Sequence, residues 1–414
     1  MKFGIKTIDD FEVKGKTVLL RVDINQPVDK KTDTLNDITR IKGCAPTIEE
    51  LSDKGAKLVV LAHQGSDIEY HNYHCLKPHA KVISELIGKR VEFVPDVCGP
   101  FAQNKIKEMN NGDILLLDNV RFMAEEMTLF ETKLKLTPEQ MVDTQVVKKL
   151  SPLADLFVVD AFAAAHRAQP TLMGFCYTLP SAMGRLFEKE YRILSEVLEQ
   201  PKKPLVFILG GTKIGDAFCM MDKVLKEGIA DKVLTGGLVS QVMLVARGVD
   251  IGKPSLDFIY KKNLGEYIEK SKEVLKIYGD KIILPVDLAY VKDGRQEIDI
   301  NDLPAKESLL DIGHKTVEIY SKEINEASTV FINGPVGVFE EEATEYGTKE
   351  IWKAIAESSA YSVLGGGDSV AATNKYGLAD KMGYVCTGGG ALVRFLSGEE
   401  LPIVSALKHA AKTY

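Results

Sequence analysis

The stretch Ser362-Val363-Leu364-Gly365-Gly366-Gly367-Asp368-Ser369-Val370-Ala371-Ala372 decides how the rest of the chain is read. A short apolar run ends in three glycines, and a carboxylate and a hydroxyl come next, where a helix begins. Glycines lack a Cβ, so backbone can approach a phosphate closely, and the N–H groups of a helix N-terminus point at it. Asp368 could hold a magnesium ion beside that phosphate. Glycine-rich strand-to-helix turns also occur in α/β proteins without a ligand, so the surrounding sequence has to decide.

Working outward, the same pattern recurs along the chain. Apolar β-rich runs lie at Thr17–Val22, Leu58–Ala62, Ile114–Leu117 and Leu156–Val159, then at Leu205–Leu209, Lys232–Leu234, Ile282–Val286, Thr329–Ile332, Tyr361–Leu364 and Tyr384–Cys386, separated by helical patterns. Continuous apolar strands alternating with helices predict mainly parallel sheets covered by helices on both faces, so the fold class is α/β. A chain of 414 residues is too long for one core, and two domains are expected. Between the fourth and fifth runs, Leu186–Gln200 reads as a helix of mixed charge that stops at Pro201-Lys202-Lys203-Pro204. That places an interdomain helix and hinge at 186–203, between similar-sized lobes at 1–185 and 204–400.

Charge and composition exclude several classes. Asp and Glu (59) outnumber Lys and Arg (52), a net charge of −7 that argues against an extended nucleic-acid surface. No apolar stretch approaches the roughly 18 residues of a membrane span, and the start Met1-Lys2-Phe3-Gly4-Ile5-Lys6 lacks the apolar run of a signal peptide. A cytoplasmic protein with no membrane partner is expected. The six cysteines are scattered without a C-x-x-C pair and read as reduced, mostly buried residues. A monomer and a homodimer are equally compatible with the sequence.

The two lobes carry different kinds of residue at their strand ends. In the first they are charged and hydrogen-bonding: Arg21, Asp23 and Asn25, then His63, then Asn119 and Arg121, then Asp160, His166 and Arg167. With Arg40 they could converge at the carboxyl ends of one sheet, where open α/β sheets bind ligands. Arginine forks there suit a small, multiply anionic substrate. In the second lobe the strand ends carry Gly210-Gly211-Thr212-Lys213, Thr235-Gly236-Gly237, Asn333-Gly334-Pro335-Val336-Gly337, the Gly365–Ser369 turn and Thr387-Gly388-Gly389-Gly390-Ala391. Five such turns in one lobe suggest a surface where backbone meets a nucleotide. None matches G-x-x-x-x-G-K-[ST], and no G-x-G-x-x-G sits on a first βα turn, which disfavours P-loop NTPases and Rossmann dehydrogenases. An anion pocket and a nucleotide surface on hinged lobes suit in-line phosphoryl transfer across a closing cleft. A nicotinamide-dependent dehydrogenase and a non-catalytic binding protein for anionic metabolites are the competing readings.

These motifs, in this order and spacing, resemble the phosphoglycerate kinase family over essentially the whole chain. The resemblance rests on Arg21-Val22-Asp23-Ile24-Asn25-Gln26-Pro27, Thr39-Arg40-Ile41, Leu116-Leu117-Asp118-Asn119-Val120-Arg121-Phe122 with Glu125-Glu126, and Asp160-Ala161-Phe162 with His166-Arg167. In the second lobe it rests on Gly210–Lys213, Leu284-Pro285-Val286-Asp287, Asp311-Ile312-Gly313, Asn333–Glu340, Gly365–Ser369 and Thr387–Ala391. It implies reversible phosphoryl transfer between 1,3-bisphosphoglycerate and ADP, giving 3-phosphoglycerate and ATP, with Mg2+. Asp23, Asn25, Arg40, His63, Gln64, Gly65, Ser66, Arg121 and Arg167 would form the 3-phosphoglycerate site. Lys213, Gly236, Gly237, Asn333, Glu340, Gly365, Gly366, Gly367, Asp368 and Ser369 would bind ATP or ADP, with Glu340 on the ribose and Asp368 on the magnesium. Arg40 and Lys213 would act at the transferring phosphoryl. The segment from about 401 to 414 would pack back on the first lobe.

The chain departs from the family pattern in places. His63-Gln64-Gly65-Ser66 stands where His-Leu-Gly-Arg is usual, so Ser66 replaces an arginine. Ala217 stands in place of a second lysine, and Ala163 where glycine is common. Gln64 and Ala217 resemble the archaeal branch. His71, His74, Cys75 and His79 are close in sequence, but their spacing fits no structural zinc pattern. With Asp67–Pro78 read as a loop, they are expected to be solvated histidines.

Overall fold

In the computed structural model, residues 1, 3–29, 31–65 and 73–414 are described. The chain divides into two compact units: unit 1 comprises Met1–Ile193 and Glu400–Tyr414, and unit 2 comprises Leu194–Glu399.

Unit 1 contains β1 (Thr17–Val22), the short antiparallel pair β2 (Val28–Asp29) and β3 (Thr34–Leu35), then β4 (Lys57–Leu61), β5 (Val91–Val94), β6 (Ile114–Leu117), β7 (Leu156–Asp160) and β8 (Ser181–Met183). All but the short pair form one parallel sheet in the order β5-β6-β4-β1-β7-β8. The central strands are apolar because both faces are covered: Val18, Leu19 and Leu20 of β1 and Phe157, Val158 and Val159 of β7 are fully buried. The register sets Arg21 beside Leu61 and Val22 beside Asp160, so these strands end at one level. The helix Pro402–Thr413 belongs to this unit; Ile403 N–H bonds Ala165 O, and His409 stacks on Tyr177 at 4.6 Å between ring centroids.

Unit 2 contains β9 (Leu205–Leu209), β10 (Lys232–Thr235), β11 (Ile282–Ile283), β12 (Asp287–Val291), β13 (Arg295–Asp299), β14 (Asp311–Ile312), β15 (Thr329–Asn333), β16 (Tyr361–Gly365) and β17 (Tyr384–Val385). Its main sheet is parallel, in the order β11-β10-β9-β15-β16-β17; β13-β12-β14 form a small antiparallel sheet. The expected run Ile282–Val286 is thus shorter. The chain leaves the main sheet after Ile283, Pro285 supplies no N–H, and Asp287 opens the small sheet.

The helix expected at Leu186–Gln200 spans Arg185–Glu199. Arg185 pairs with Asp9, Glu50 and Glu188. No disulfide joins any of the six cysteines among the described residues, and four of them are buried. Among the described residues no helix is long and apolar enough to cross a membrane.

Candidate active site

In unit 1 the residues after β1, β4 and β6 meet around a buried charge network. Arg21, fully buried, donates from Nε to Thr171 Oγ1 (3.1 Å) and from one terminal nitrogen to His63 Nδ1 (3.2 Å). A guanidinium can only donate, so His63 Nδ1 accepts and Nε2 carries the ring proton. Burial pushes the His63 pKa well below its ordinary value; Asp23 opposes this, while Arg21, Arg121 and Arg167 add to it. Burial also lowers Arg21 to about 10, against the pull of Glu126 and Asp23. Thr171 passes the network on, donating its N–H (2.6 Å) and hydroxyl (2.8 Å) to the buried Glu126 carboxylate.

Asp23 accepts from Arg40 (2.8 Å) and from Asn25 N–H (3.1 Å). Burial raises its carboxyl, but Arg40, His63, Asn25 N–H and Arg21 outweigh burial and bring it down to about 2. Arg121 is 1% exposed, and none of its three guanidinium nitrogens has a hydrogen-bond partner among the described residues. A buried charge left without hydrogen bonds costs several kcal/mol. An anion supplied from outside would return that cost.

The remaining expected residues take other positions. Asn25 Oδ1 accepts from Gly65 N–H (3.0 Å). Arg167 pairs with Glu131 at 3.0 Å, a carboxylate that also accepts from Ala168 N–H and Gln169. The Gln64 carboxamide is 5% exposed and bonds Gln26 through both its nitrogen (2.7 Å) and its oxygen (3.1 Å), so it is turned inward and not towards a ligand. Asp160 is likewise turned into the core, accepting from Phe187 N–H (2.9 Å), and burial raises it to about 6. Ser66 and His71 lie outside the described residues. His79, expected in a solvated loop, is buried on the helix Lys77–Ile87, and burial lowers it to about 4. Pro78 stands at the start of that helix, where a proline costs no hydrogen bond and hides the boundary from a loop reading.

In unit 2 the turns after β9, β10 and β15 lie backbone on backbone. Gly211 N–H bonds Pro335 O (2.7 Å), Gly237 N–H bonds Val336 O (2.7 Å) and Leu238 N–H bonds Gly211 O (3.2 Å). A Cβ on Gly210 would stand 2.2 Å from Pro335 O, and one on Gly236 2.5 Å from Val336 Cα. These glycines serve loop-on-loop packing first, a role that their pattern in the sequence does not reveal. Gly365 is similar, packed under Leu392, whereas a Cβ on Gly367 would meet nothing within 4 Å.

Two cavities adjoin these turns. One of about 100 Å³ is lined by Lys213, Asn333, Gly366, Gly367, Asp368 and Ser369 among others. The other, of about 660 Å³, is lined by Leu238, Phe258, Leu309, Val338, Phe339 and Glu340 among others. Gly211, Thr212 and Asp368 border both, so a small chamber carrying Lys213, Asp216 and Asp368 adjoins a larger, mainly apolar one. Lys213 caps the helix Ile214–Lys226 and is exposed, with no ion pair among the described residues. Ala217 is fully buried on that helix. Ser369 is buried, and its Oγ accepts from Gly334 N–H (2.8 Å). Asn333 Oδ1 is buried without a partner among the described residues. Lys375 braces the Glu340 loop by donating to Phe339 O (2.7 Å) and pairing with Glu345 (2.7 Å). Behind the turn, the only tryptophan, Trp352, is fully buried and donates to Thr373 Oγ1 (2.9 Å), which donates to Ser369 O (2.8 Å).

Glu126, Thr171, Glu131, Phe258 and Leu309 are not marked as site residues by the sequence. The acidic pair Glu125-Glu126 is visible there, but its partner Thr171 lies 45 positions away from Glu126. A separate set, Asp287, Glu297 and His314, brings ligand-capable atoms within 4.8 Å. It is already used internally: His314 pairs with Glu297, and Asp287 caps the helix His314–Glu326 through Lys315 and Thr316 N–H.

The phosphoglycerate kinase family model matches residues 8–399. The chain belongs to the phosphoglycerate kinase family. The phosphoglycerate kinase of Methanothermus fervidus is 44% identical over 99% of this chain and 98% of the relative, and that of Methanococcus maripaludis is 45% identical over 97% of each. The crystal structure of phosphoglycerate kinase from Pyrococcus horikoshii OT3 matches with a TM-score of 0.89 at 39% identity, covering 99% of this chain and all of that one. The structure of phosphoglycerate kinase from Coxiella burnetii matches at 0.82 and 31%, covering 97% of this chain and 98% of that one. Membership fixes the activity as phosphoryl transfer between the carboxyl group of 3-phosphoglycerate and the nucleotide pair ATP and ADP. The α/β class with two parallel sheets agrees with it.

Proposed function

We propose that unit 1 is the 3-phosphoglycerate half-site and unit 2 the nucleotide half-site of this phosphoglycerate kinase. The observation that carries the first assignment is Arg121, a buried guanidinium with no hydrogen-bond partner among the described residues. His63 would add a donor at Nε2, and Asp23 and Asn25 would orient hydroxyl groups. Arg167 reaches an anion only by sharing its charge with Glu131.

In unit 2 the apolar chamber suits a nucleoside and the polar one its phosphates. Glu340 borders the first and would accept from the ribose. Asp368, exposed in the first turn of the helix Gly367–Lys375, offers one carboxylate next to phosphate oxygens, the ligand set that magnesium takes in such sites. Asn333 Oδ1, which has no partner among the described residues, lines the same cavity as Asp368 and would accept from a donor there. Bound there, Mg2+ would neutralise phosphate charge during transfer.

The substrate's own carboxylate oxygen attacks, so no covalent nucleophile is needed; the protein aligns the groups and neutralises charge. Arg40 and Lys213 are the cations assigned to the transferring phosphoryl. With Ala217 buried, the helix Ile214–Lys226 offers no second cation at that position.

Titration calorimetry with 3-phosphoglycerate tests the assignment. Arg121→Met should weaken binding by on the order of a hundredfold, because two or three charge-assisted bonds are lost. Undiminished affinity in folded protein would remove the assignment.

A further inference from the structure

The histidine that fits no zinc pattern and the glutamine that departs from the family's usual residue bond to each other. Gln64 donates from Nε2 to Gln26 O (2.7 Å) and accepts at Oε1 from Gln26 N–H (3.1 Å), so one side chain imitates a strand partner for the loop after β1. His79 Nε2 lies 3.1 Å from the same Oε1. That oxygen can only accept, so His79 donates from Nε2; burial, which lowers its pKa to about 4, favours the neutral ring. The Gln64 backbone is fixed as well, its N–H bonding Asn119 Oδ1 (3.0 Å) and its carbonyl accepting from Asn119 Nδ2 (2.9 Å). One residue on, Gly65 N–H bonds Asn25 Oδ1 (3.0 Å).

We propose that Gln64 and His79 are positioning residues that clamp the Asp23–Gln26 loop to the His63–Gly65 loop, setting the distance between Asp23, Asn25 and His63. A leucine at 64 offers neither bond to Gln26. The neighbouring arginine position is Ser66 in this chain, so the loop after β4 has less side-chain charge with which to hold a substrate. The clamp fixes the geometry of the groups that remain. The inference rests on the reading of unit 1 as the 3-phosphoglycerate half-site.

Steady-state kinetics on the full chain test it. Gln64→Leu should raise KM for 3-phosphoglycerate about tenfold, as misplacement by a fraction of an ångström does, and leave KM for ATP unchanged. His79→Leu should raise it about threefold, His79→Gln should restore most of the loss by returning a donor near Nε2, and the double variant Gln64→Leu/His79→Leu should be no worse than Gln64→Leu alone. An unchanged KM for 3-phosphoglycerate in Gln64→Leu, a parallel rise in both KM values, or multiplying effects in the double variant would overturn the clamp. If Gln64→Leu does not fold, the His79 pair decides: equal KM values for His79→Gln and His79→Leu overturn it. Arg121→Met separates the two claims. If that variant binds 3-phosphoglycerate normally, the half-site reading fails; if it loses binding while Gln64→Leu does not, the clamp alone fails.

Discussion

On the half-site reading proposed above, the two units would solve the same problem, holding an anion, with different materials. Unit 1 uses side chains: Arg21, Arg121, Glu126, Asp23 and His63 are all buried. Unit 2 uses backbone: three glycine turns lie against each other, and the cavities beside them are lined by glycines together with Lys213, Asp216, Asp368, Glu340 and Glu341. The difference teaches where each half-site is fragile. A small multiply charged substrate calls for desolvated cations, so unit 1 is sensitive to charge deletion. A nucleotide brings its own large apolar and phosphate surfaces, so unit 2 is sensitive to anything that separates its turns.

The contrast is open to direct tests. Arg40→Ala and Lys213→Ala should each lower the rate of ATP formation from 1,3-bisphosphoglycerate by on the order of a hundredfold or more, the usual loss for a group that stabilises transition-state charge. If Lys213→Ala is silent, unit 2 acts through backbone alone and the contrast becomes absolute. Next in size is Gly210→Ala, whose Cβ would stand 2.2 Å from Pro335 O. It should cost about 3 kcal/mol by overpacking, measured by denaturant unfolding, and weaken ATP binding while 3-phosphoglycerate binding persists. Asp368→Asn should raise the magnesium concentration needed for half-maximal rate about tenfold, with KM for 3-phosphoglycerate unchanged. The smallest effect is expected for Gly367→Ala, where a Cβ meets nothing within 4 Å: stability should stay within about 0.5 kcal/mol.

Acid pH tests the burial of His79. His79 is lowered to about 4 in the folded state, so the unfolded chain binds the extra proton first as pH falls. Its contribution is therefore complete above about pH 6.5 and is lost towards pH 4. His79→Gln should melt with a flatter pH dependence than the parent over that window; identical slopes would show that His79 does not titrate as its burial implies.

Much of this is legible in the sequence, unevenly so. All six strands of the unit 2 main sheet coincide with apolar runs read directly from the chain, because buried parallel strands are continuous and rich in Val, Ile and Leu. In unit 1 the edge strands β5 and β8 escape such a reading. Val91–Val94 carries Glu92 in its middle, and Ser181–Met183 is three residues long without a β-branched side chain, so neither reads as a run. In the small sheet β13 escapes for a similar reason: Arg-Gln-Glu-Ile-Asp has a single apolar residue, Ile298, and no apolar run. The charged residues of unit 1 are visible because arginine and histidine at strand ends stand out against apolar runs. The direction in which each points is not. Gln64 and Asp160 turn inward, and which glycines face a cavity depends on which loop lies behind them.

Trp352 gives unit 2 an internal optical label. It is the only tryptophan, fully buried, and joined through Thr373 to the backbone of Ser369. Indole emission therefore reports one unit, while far-ultraviolet circular dichroism reports both. If the units melt independently, the two signals will give different midpoints; if they melt together, the curves will coincide. Fluorescence should also shift on adding ATP and stay constant on adding 3-phosphoglycerate alone, so a native chain without any attached dye distinguishes which half-site has been filled.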